Sequence, residues 1–243
     1  MAEVRLEVRD LSRRFGGLKA VDGLQIKVHA DEIVGLLGPN GSGKTTAINL
    51  ISGVLKADSG TVTLEGTDLS GAPSYKIARD GIGRTFQLVR LFESLSTREN
   101  VIAGMAFRDK RLFGNEAHEL AEHLLERVGL PGRGDTPASD LTYMDQKKVE
   151  LARALAGNPR VLLLDEWLAG LNPTELREAI VLVGSLKEDD ISILMVEHVL
   201  EAVRSLCDHC VVMNAGAPIS YGTPSEVLND PEVIRAYLGD DDA

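Results

Sequence analysis

The stretch Ile33-Val34-Gly35-Leu36-Leu37-Gly38-Pro39-Asn40-Gly41-Ser42-Gly43-Lys44-Thr45 decides how the rest of the chain reads. Its first five residues form a continuous apolar run, as in a parallel strand covered on both faces. The segment after them fits Gly-x-x-x-x-Gly-Lys-Thr at every required position, and a helical pattern from Lys44 to about Ser52 follows. In that setting the glycines let backbone N–H groups turn inward around phosphates at a helix N-terminus. Lys44 is then expected on the β- and γ-phosphates and the Thr45 hydroxyl on Mg²⁺. Gly38, Pro39, Asn40, Gly41, Ser42, Gly43 and Thr46 complete the loop. An incidental Gly-rich turn would need neither the strand before nor the helix after, so the stretch reads as a nucleoside-triphosphate site.

Upstream, Val4, Leu6 and Val8, then Leu24, Ile26 and Val28, alternate as strands do around a turn at Gly16-Gly17. Downstream, Thr61–Leu64 and Ile82–Phe86 carry further strand signal. From about Thr97 to Gly157 the period becomes helical, with Leu120, Leu124, Leu125 and Val128 on one expected face and a break at Gly129, Pro131, Gly132 and Gly134. A second helix is predicted from about Thr142 to Ala156, with Val149, Ala152 and Leu155 or Ala156 inward. Strand and helix then alternate: Val161–Leu164, a helix after Pro173, Ile191–Val196, and a helix after His198. Val211–Met213 and Ile219–Tyr221 read as a hairpin, and Pro224–Leu228 and Pro231–Leu238 as helices opened by Pro. The pattern is an α/β core interrupted by a helical insertion.

Val161-Leu162-Leu163-Leu164-Asp165-Glu166 delivers two acids at the carboxyl end of an apolar strand, where parallel sheets place ligands. Asp165 suits a Mg²⁺ ligand acting through water, and Glu166 suits the general base for an attacking water. Consecutive strand residues point to opposite sides, which allows the two acids separate roles.

Composition narrows the remaining classes. The chain has 243 residues, 26 Lys+Arg against 37 Asp+Glu, and a formal net charge of −11. Its 44% hydrophobic and 26% charged content is that of a globular protein and not of a disordered one. The acidic balance argues against a nucleic-acid partner, which needs a basic surface. Two cysteines, Cys207 and Cys210, rule out a disulfide framework. A single Cys-x-x-Cys lacks a second ligand pair, so both are read as buried thiols rather than a metal site. No apolar run reaches membrane-helix length, and the alternating amino terminus lacks a signal peptide's apolar core. The expectation is a soluble cytoplasmic chain whose membrane role, if any, comes through a partner.

Together these motifs resemble an ATP-binding-cassette (ABC) ATPase subunit from end to end. The resemblance implies a P-loop NTPase α/β core with an antiparallel β subdomain and a helical subdomain. It implies one nucleotide-binding domain over 1–243, with core 1–90 and 158–243 and helical subdomain about 91–157. Gln87, in Gly83-Arg84-Thr85-Phe86-Gln87, falls on the family's glutamine loop, a Mg²⁺ ligand that senses the transmembrane partner. His198, in Met195-Val196-Glu197-His198, falls on the switch histidine that contacts the γ-phosphate, whereas His29, His118, His123 and His209 read as ordinary structural histidines. Phe15 falls on the aromatic that stacks on adenine. ATP and Mg²⁺ are the implied cofactors, with catalysis by Lys44, Glu166 and His198.

Several stretches are similar to the branched-chain amino acid uptake ATPases: Phe15-Gly16-Gly17-Leu18, Arg90-Leu91-Phe92, Glu99-Asn100-Val101, and Ala169-Gly170-Leu171-Asn172-Pro173. Gly222-Thr223-Pro224 and Val233-Ile234-Arg235-Ala236-Tyr237-Leu238-Gly239 fit the same group. The implied partners are transmembrane permease subunits, a second cassette in a homodimer or heterodimer, and indirectly a solute-binding protein, at the inner face of the cell membrane. Related subunits serve other small solutes, and lipopolysaccharide-export ATPases share much of the pattern.

Departures from the family set further expectations. The signature Leu-Ser-Gly-Gly-Gln falls on Leu141-Thr142-Tyr143-Met144-Asp145. Thr142 keeps the hydroxyl expected at a partner's γ-phosphate. Met144 is expected to put bulk where glycine allows close approach, and Asp145 to put charge near an anion, offset by Lys147 and Lys148. Weakened dimer closure, an unequal heterodimer or a weakly hydrolysing regulatory subunit would follow. Trp167 replaces the usual Pro after Glu166, Asn172 stands where many relatives have Asp, and the helical insertion is short for the subgroup. The Asp240-Asp241-Asp242 tail reads as a solvated end.

Overall fold

The computed structural model describes residues 3–108 and 112–238. β1 (Val4–Phe15) and β2 (Leu18–His29) pair antiparallel, and β4 (Ser59–Leu64) and β5 (Thr67–Asp68) extend them into a sheet of order β2-β1-β4-β5. The second sheet runs β10 (Ala217–Gly222), β9 (His209–Asn214), β3 (Ile33–Leu37), β8 (Ser192–Val196), β7 (Val161–Asp165), β6 (Ile82–Arg84). Its strands are parallel except for the β9–β10 hairpin. The helices are α1 (Lys44–Ile51), α2 (Ser74–Asp80), α3 (Thr97–Gly104), α4 (Gly114–Arg127), α5 (Tyr143–Ala156), α6 (Pro173–Ser185), α7 (Leu200–Leu206), α8 (Pro224–Leu228) and α9 (Pro231–Leu238). This is the α/β architecture, with an antiparallel sheet and a helical segment, that the resemblance implies. Among the described residues no helix is long and apolar enough to cross a membrane.

The strand period explains how the layers separate. Leu162 and Leu164 of β7 join Ile193 and Met195 of β8 in a core shared with α4, α5, α6 and α7. Val161 and Leu163 join Leu194 and Val196 in a second core, shared with α1 and the antiparallel sheet. Alternate residues therefore fill opposite faces, and continuous apolar runs result because both faces are covered. Each fully buried Leu or Ile contributes roughly 2 kcal/mol relative to exposure.

Three local expectations shift. The β6 strand stops at Arg84, short of Phe86, because the Phe86 N–H leaves the sheet to donate to the Glu150 carboxylate at 3.4 Å. The inward face of α4 is centred on Ala117, Ala121 and Leu125, while Leu120 and Leu124 pack at its edge. α2 lay unread between Pro73, its N-cap, and Gly81, its left-handed terminus. The Asp240–Asp242 tail lies outside the described residues.

Asn172 fixes where the chain turns from the β7 end into α6. Its side chain accepts from Thr174 N at 2.9 Å and Glu175 N at 3.0 Å, while Glu175 reaches back to Asn172 N at 3.0 Å. We expect Asn172→Ala to cost about 1 kcal/mol in urea unfolding and Asn172→Asp, which keeps the acceptor, to cost little. Equal losses from both substitutions would deny the cap its role.

Candidate functional site

The phosphate-binding loop lies so close to its neighbours that two of its positions admit no side chain. A Cβ on Gly38 (φ +142) would fall 2.1 Å from Met213 O, and one on Gly43 (φ +107) 2.2 Å from Ala20 O. The loop is braced from outside by Gly216 N donating to Ser42 O at 2.9 Å. Gly38 N donates to the Tyr237 hydroxyl of α9 at 2.9 Å. Buried Lys44 folds back over the loop and donates to Gly38 O at 2.8 Å and Pro39 O at 2.9 Å. Burial pushes its ammonium down from the usual lysine range, and the Glu166 and Asp165 carboxylates oppose that shift.

A groove of about 440 Å³ opens above the loop. Phe15 lines it, as do Asn40, Gly41, Gly43, Lys44, Thr45 and Thr46 of the loop, and Gln87 and Glu166. Six of the expected loop residues are thus brought together with Gln87 and Glu166, while Gly38, Pro39 and buried Ser42 do not line the groove. Phe15 is 44% exposed, with the Arg13 guanidinium 5.0 Å from its ring centre.

The acidic wall comes from β7. Asp165 is buried, its Oδ2 accepts from Arg84 Nη2 at 2.9 Å, and its Oδ1 has no partner. Arg84 also donates to Asn49 at 2.7 Å and Ser52 at 2.8 Å, so it ties the acid to α1. Burial raises the Asp165 carboxyl above the ordinary range despite Arg84. Glu166 leaves the strand at φ 50 while its N–H still donates to Val196 O at 2.9 Å. A backbone turn, added to the pleat, therefore separates the two acids. Gln87 Nε2 donates to Glu166 Oε2 at 2.7 Å, placing the glutamine on the expected base.

The groove fits a nucleoside triphosphate with its cation. α1 has no side-chain cap, so its first-turn N–H groups are free for an anion. Ser42 Oγ and Asp165 Oδ1 are buried without partners. The exposed Thr45 hydroxyl and the free Asp165 oxygen are the hard oxygen donors Mg²⁺ prefers.

Other expected residues stand apart from this groove. His198 is exposed, two residues beyond Val196, and does not line it. Thr142 is exposed and caps α5, accepting from Asp145 N at 3.2 Å. The expectation for Met144 is corrected: its side chain is 5% exposed and turns into the core, so it adds no bulk at the helix tip. Asp145 lies 3.9 Å from Arg133 rather than being offset by Lys147, which is buried against Trp167. Cys207 and Cys210 are buried free thiols, and a Cβ on Gly35 would meet Cys207 Sγ at 2.9 Å.

Sequence reading missed Arg84, Glu150, Glu197 and Tyr237. Arg84 and Tyr237 sit inside quoted motifs, but only their contacts reveal a role. Glu197 is 1% exposed between the β8 end and His198; its Oε1 accepts from Leu168 N at 2.7 Å and its Oε2 has no partner.

Comparison with known proteins agrees with this fold. The family described as "ABC transporter" matches residues 21–169, and that described as "Branched-chain amino acid ATP-binding cassette transporter" matches residues 217–243. The high-affinity branched-chain amino acid transport ATP-binding protein BraF of Pseudomonas aeruginosa is 41% identical, over 99% of this chain and 100% of its own length. The lipopolysaccharide export system ATP-binding protein LptB of Escherichia coli K12 is 33% identical, over 97% and 98%. A solved ATP-binding cassette of an ABC transporter in its ADP conformation superposes with a TM-score of 0.89 at 33% identity, over 98% of this chain and 99% of that one.

Burial pushes the Glu197 carboxyl from its ordinary 4.5 up to about 7. The folded state then holds this proton more tightly than the unfolded chain does. The resulting stability is full below the ordinary carboxylate range and is lost as pH rises to about 7. Glu197→Gln keeps an acceptor for Leu168 and removes the ionisation. Thermal melts should therefore fall less for Glu197→Gln than for wild type between about pH 5 and pH 8, a difference of up to about 3 kcal/mol. Parallel pH profiles would assign the titration to another group.

Proposed function

The chain belongs to the ABC transporter family, and on that footing we propose that it is the ATP-hydrolysing subunit of an importer for branched-chain amino acids. That ABC-type ATPases hydrolyse ATP to power transport is the family's activity; the cargo and the residue roles are this proposal. The carrying observation is one groove that joins the Lys44 loop and the Gln87–Glu166 pair, with the unpartnered oxygen of Asp165 on the residue directly before Glu166. The full-length likeness to BraF and the C-terminal match at residues 217–243 favour a branched-chain cargo over lipopolysaccharide export.

In the proposed reaction Lys44 exchanges the Gly38 and Pro39 carbonyls for phosphate oxygens, with the α1 N–H groups beside it. Phe15 stacks on the adenine. Thr45, Asp165 and Gln87 would hold Mg²⁺, which neutralises charge on the phosphate oxygens. Water attacks the γ-phosphorus in line, Glu166 takes its proton, and the bond to the β–γ bridging oxygen breaks to leave ADP and phosphate. Gln87, hydrogen-bonded to Glu166 at 2.7 Å, keeps the carboxylate oriented until nucleotide arrives. His198, just past the end of the strand β8 that neighbours β7, assists at the γ-phosphate once the groove closes.

One nucleotide-binding domain spans the chain in this reading, with the helical segment from about 91 to 157 as its moving part. Exposed Thr142 and Tyr143 lie outside the chain's own groove, which suits them to face a second cassette's γ-phosphate. With Met144 turned inward and Asp145 beside Arg133, the motive for a weakly hydrolysing partner subunit falls away. An apolar groove of about 610 Å³, bordered by Val54, Tyr75, Phe86, Phe92 and Ala103, lies between the core and the helical segment. It is the proposed seat for permease subunits, through which the chain sits at the membrane.

Glu166→Gln should retain ATP while hydrolysis falls by roughly a hundredfold or more. An undiminished rate would remove Glu166 from the base role. Deleting the chain from its cell should abolish leucine uptake, with recovery on supply of the wild type but not of Glu166→Gln; unaffected uptake would assign another cargo.

A further inference from the structure

α5 carries two charged side chains where charge is costly. Lys147 and Glu150 are each 1% exposed and, three residues apart, lie on one face of the helix. Each goes to the backbone of a different loop. Lys147 Nζ donates to Trp167 O at 2.9 Å, and Trp167 Nε1 donates back to Lys147 O at 3.3 Å. The Lys147 ammonium also lies 4.9 Å from the centre of the Tyr143 ring. Glu150 accepts from Arg90 N at 3.1 Å and from Phe86 N at 3.4 Å.

These loops hold the two members of one pair. Trp167 directly follows Glu166; Phe86 directly precedes Gln87, and Arg90 lies just beyond it. Gln87 and Glu166 meet at 2.7 Å. A closed circuit results: Gln87 to Glu166 across the groove, Trp167 to Lys147, three residues of helix to Glu150, and back to the backbone beside Gln87. A helix is the stiffest short connector in a chain, and it spans the two ties within one turn.

Trp167 is the sole tryptophan, fully buried where the family commonly has Pro. A buried indole N–H needs an acceptor, and the second lone pair of a helix carbonyl supplies it. Burying Lys147 and Glu150 is costly unless each is well hydrogen-bonded. Aliphatic residues would fill the same space without that cost, so the ties are what the charges provide.

We infer that Lys147 and Glu150 are positioning residues, which make α5 a bar that keeps this chain's own Gln87–Glu166 pair in register. The inference rests on the proposed assignment of that pair to the reaction centre. α5 begins at Tyr143, capped by Thr142, so an occupant of its exposed tip acts on the chain's own groove as well as on a partner's. A misplacement of about 1 Å at a reaction centre costs up to a hundredfold in rate, and the bar guards against that error.

Steady-state hydrolysis of MgATP by the full chain tests this. Lys147→Met and Glu150→Ala should each lower kcat about tenfold and leave KM within about twofold, because the phosphate loop is untouched. Glu150→Gln, whose single amide oxygen keeps an acceptor for one of the two N–H groups, should recover part of the rate. An unchanged kcat in both Lys147→Met and Glu150→Ala would overturn the bar. So would failure of Glu150→Gln to exceed Glu150→Ala, or KM rising as far as kcat falls. If Lys147→Met does not fold, Lys147→Gln decides that tie, since the shorter uncharged side chain does not reach Trp167 O and keeps a polar group on the same face. A several-fold loss of kcat in a protein with wild-type far-UV dichroism supports the tie, and the wild-type rate overturns it. Glu166→Gln serves as the reference. Should it hydrolyse at the wild-type rate, the reaction-centre assignment falls and takes the bar with it; should it be inactive while the other variants keep full kcat, only the bar falls.

Discussion

Parallel pairing of β3, β8 and β7 makes every other feature of the site possible. Parallel strands end at one edge, so Leu37, Val196 and Asp165 all hand the chain over on the same side of the sheet. Three loops leave there: the phosphate loop from Gly38, the segment through Glu197 and His198, and the turn through Glu166 and Trp167. The β6 strand, parallel to β7, sends Gln87 to the same edge. An antiparallel arrangement would put half of these ends on the far side. The covered faces keep the strands from sliding, since a one-residue slip would exchange the residues of the two cores.

Charge buried beneath this edge is organised by connectivity. Asp165 is answered by Arg84, which also grips Asn49 and Ser52 of α1. Glu150 holds the backbone around Gln87, and Lys147 holds the turn after Glu166. Glu197 holds Leu168 N, one residue further along that turn. Such groups seldom add net stability, because desolvation consumes the Coulombic gain. What they provide is placement: each anchors an N–H or C=O that would otherwise be free to reorient. The unpartnered oxygens of Asp165 and Glu197 show where this satisfaction stops, one at the end of β7 and one just past the end of β8.

Local features were legible in the sequence, and remote pairings were not. The strand, loop and helix from Ile33 to Ile51 follow from neighbouring residues, as do the apolar β7 and its two acids. Sequence does not show that Phe86 N–H leaves the sheet, because its acceptor, Glu150, is 64 residues away. Arg84 sits in plain view within a recognised motif, yet its partner Asp165 is 81 residues distant. Met144 misled for a different reason. Its position predicts bulk at the phosphate, but successive side chains of a helix point about 100° apart, so Tyr143 faces solvent while Met144 lies in the core. Trp167 was visible as an oddity, while the clasp it makes needed the helix beside it.

The net charge of −11 and a site built for a polyanion are compatible because the two act over different ranges. Exposed charges are screened within about 8 Å at physiological salt, so most of the acidic surface is not felt in the groove. The charged residues that line it are Lys19, Lys44 and Glu166; Lys19 is paired with Asp22, Glu166 with Gln87, and Asp165, directly before Glu166, with Arg84. The positive ends that remain are Lys44, whose present partners are neutral carbonyls, and the uncapped N–H groups of α1. Exchanging a carbonyl for a phosphate oxygen replaces a neutral acceptor by a charged one, which strengthens that hydrogen bond about twofold. Affinity for phosphate is therefore set by a few donors fixed at the edge of one sheet, and the acidic exterior does not enter into it.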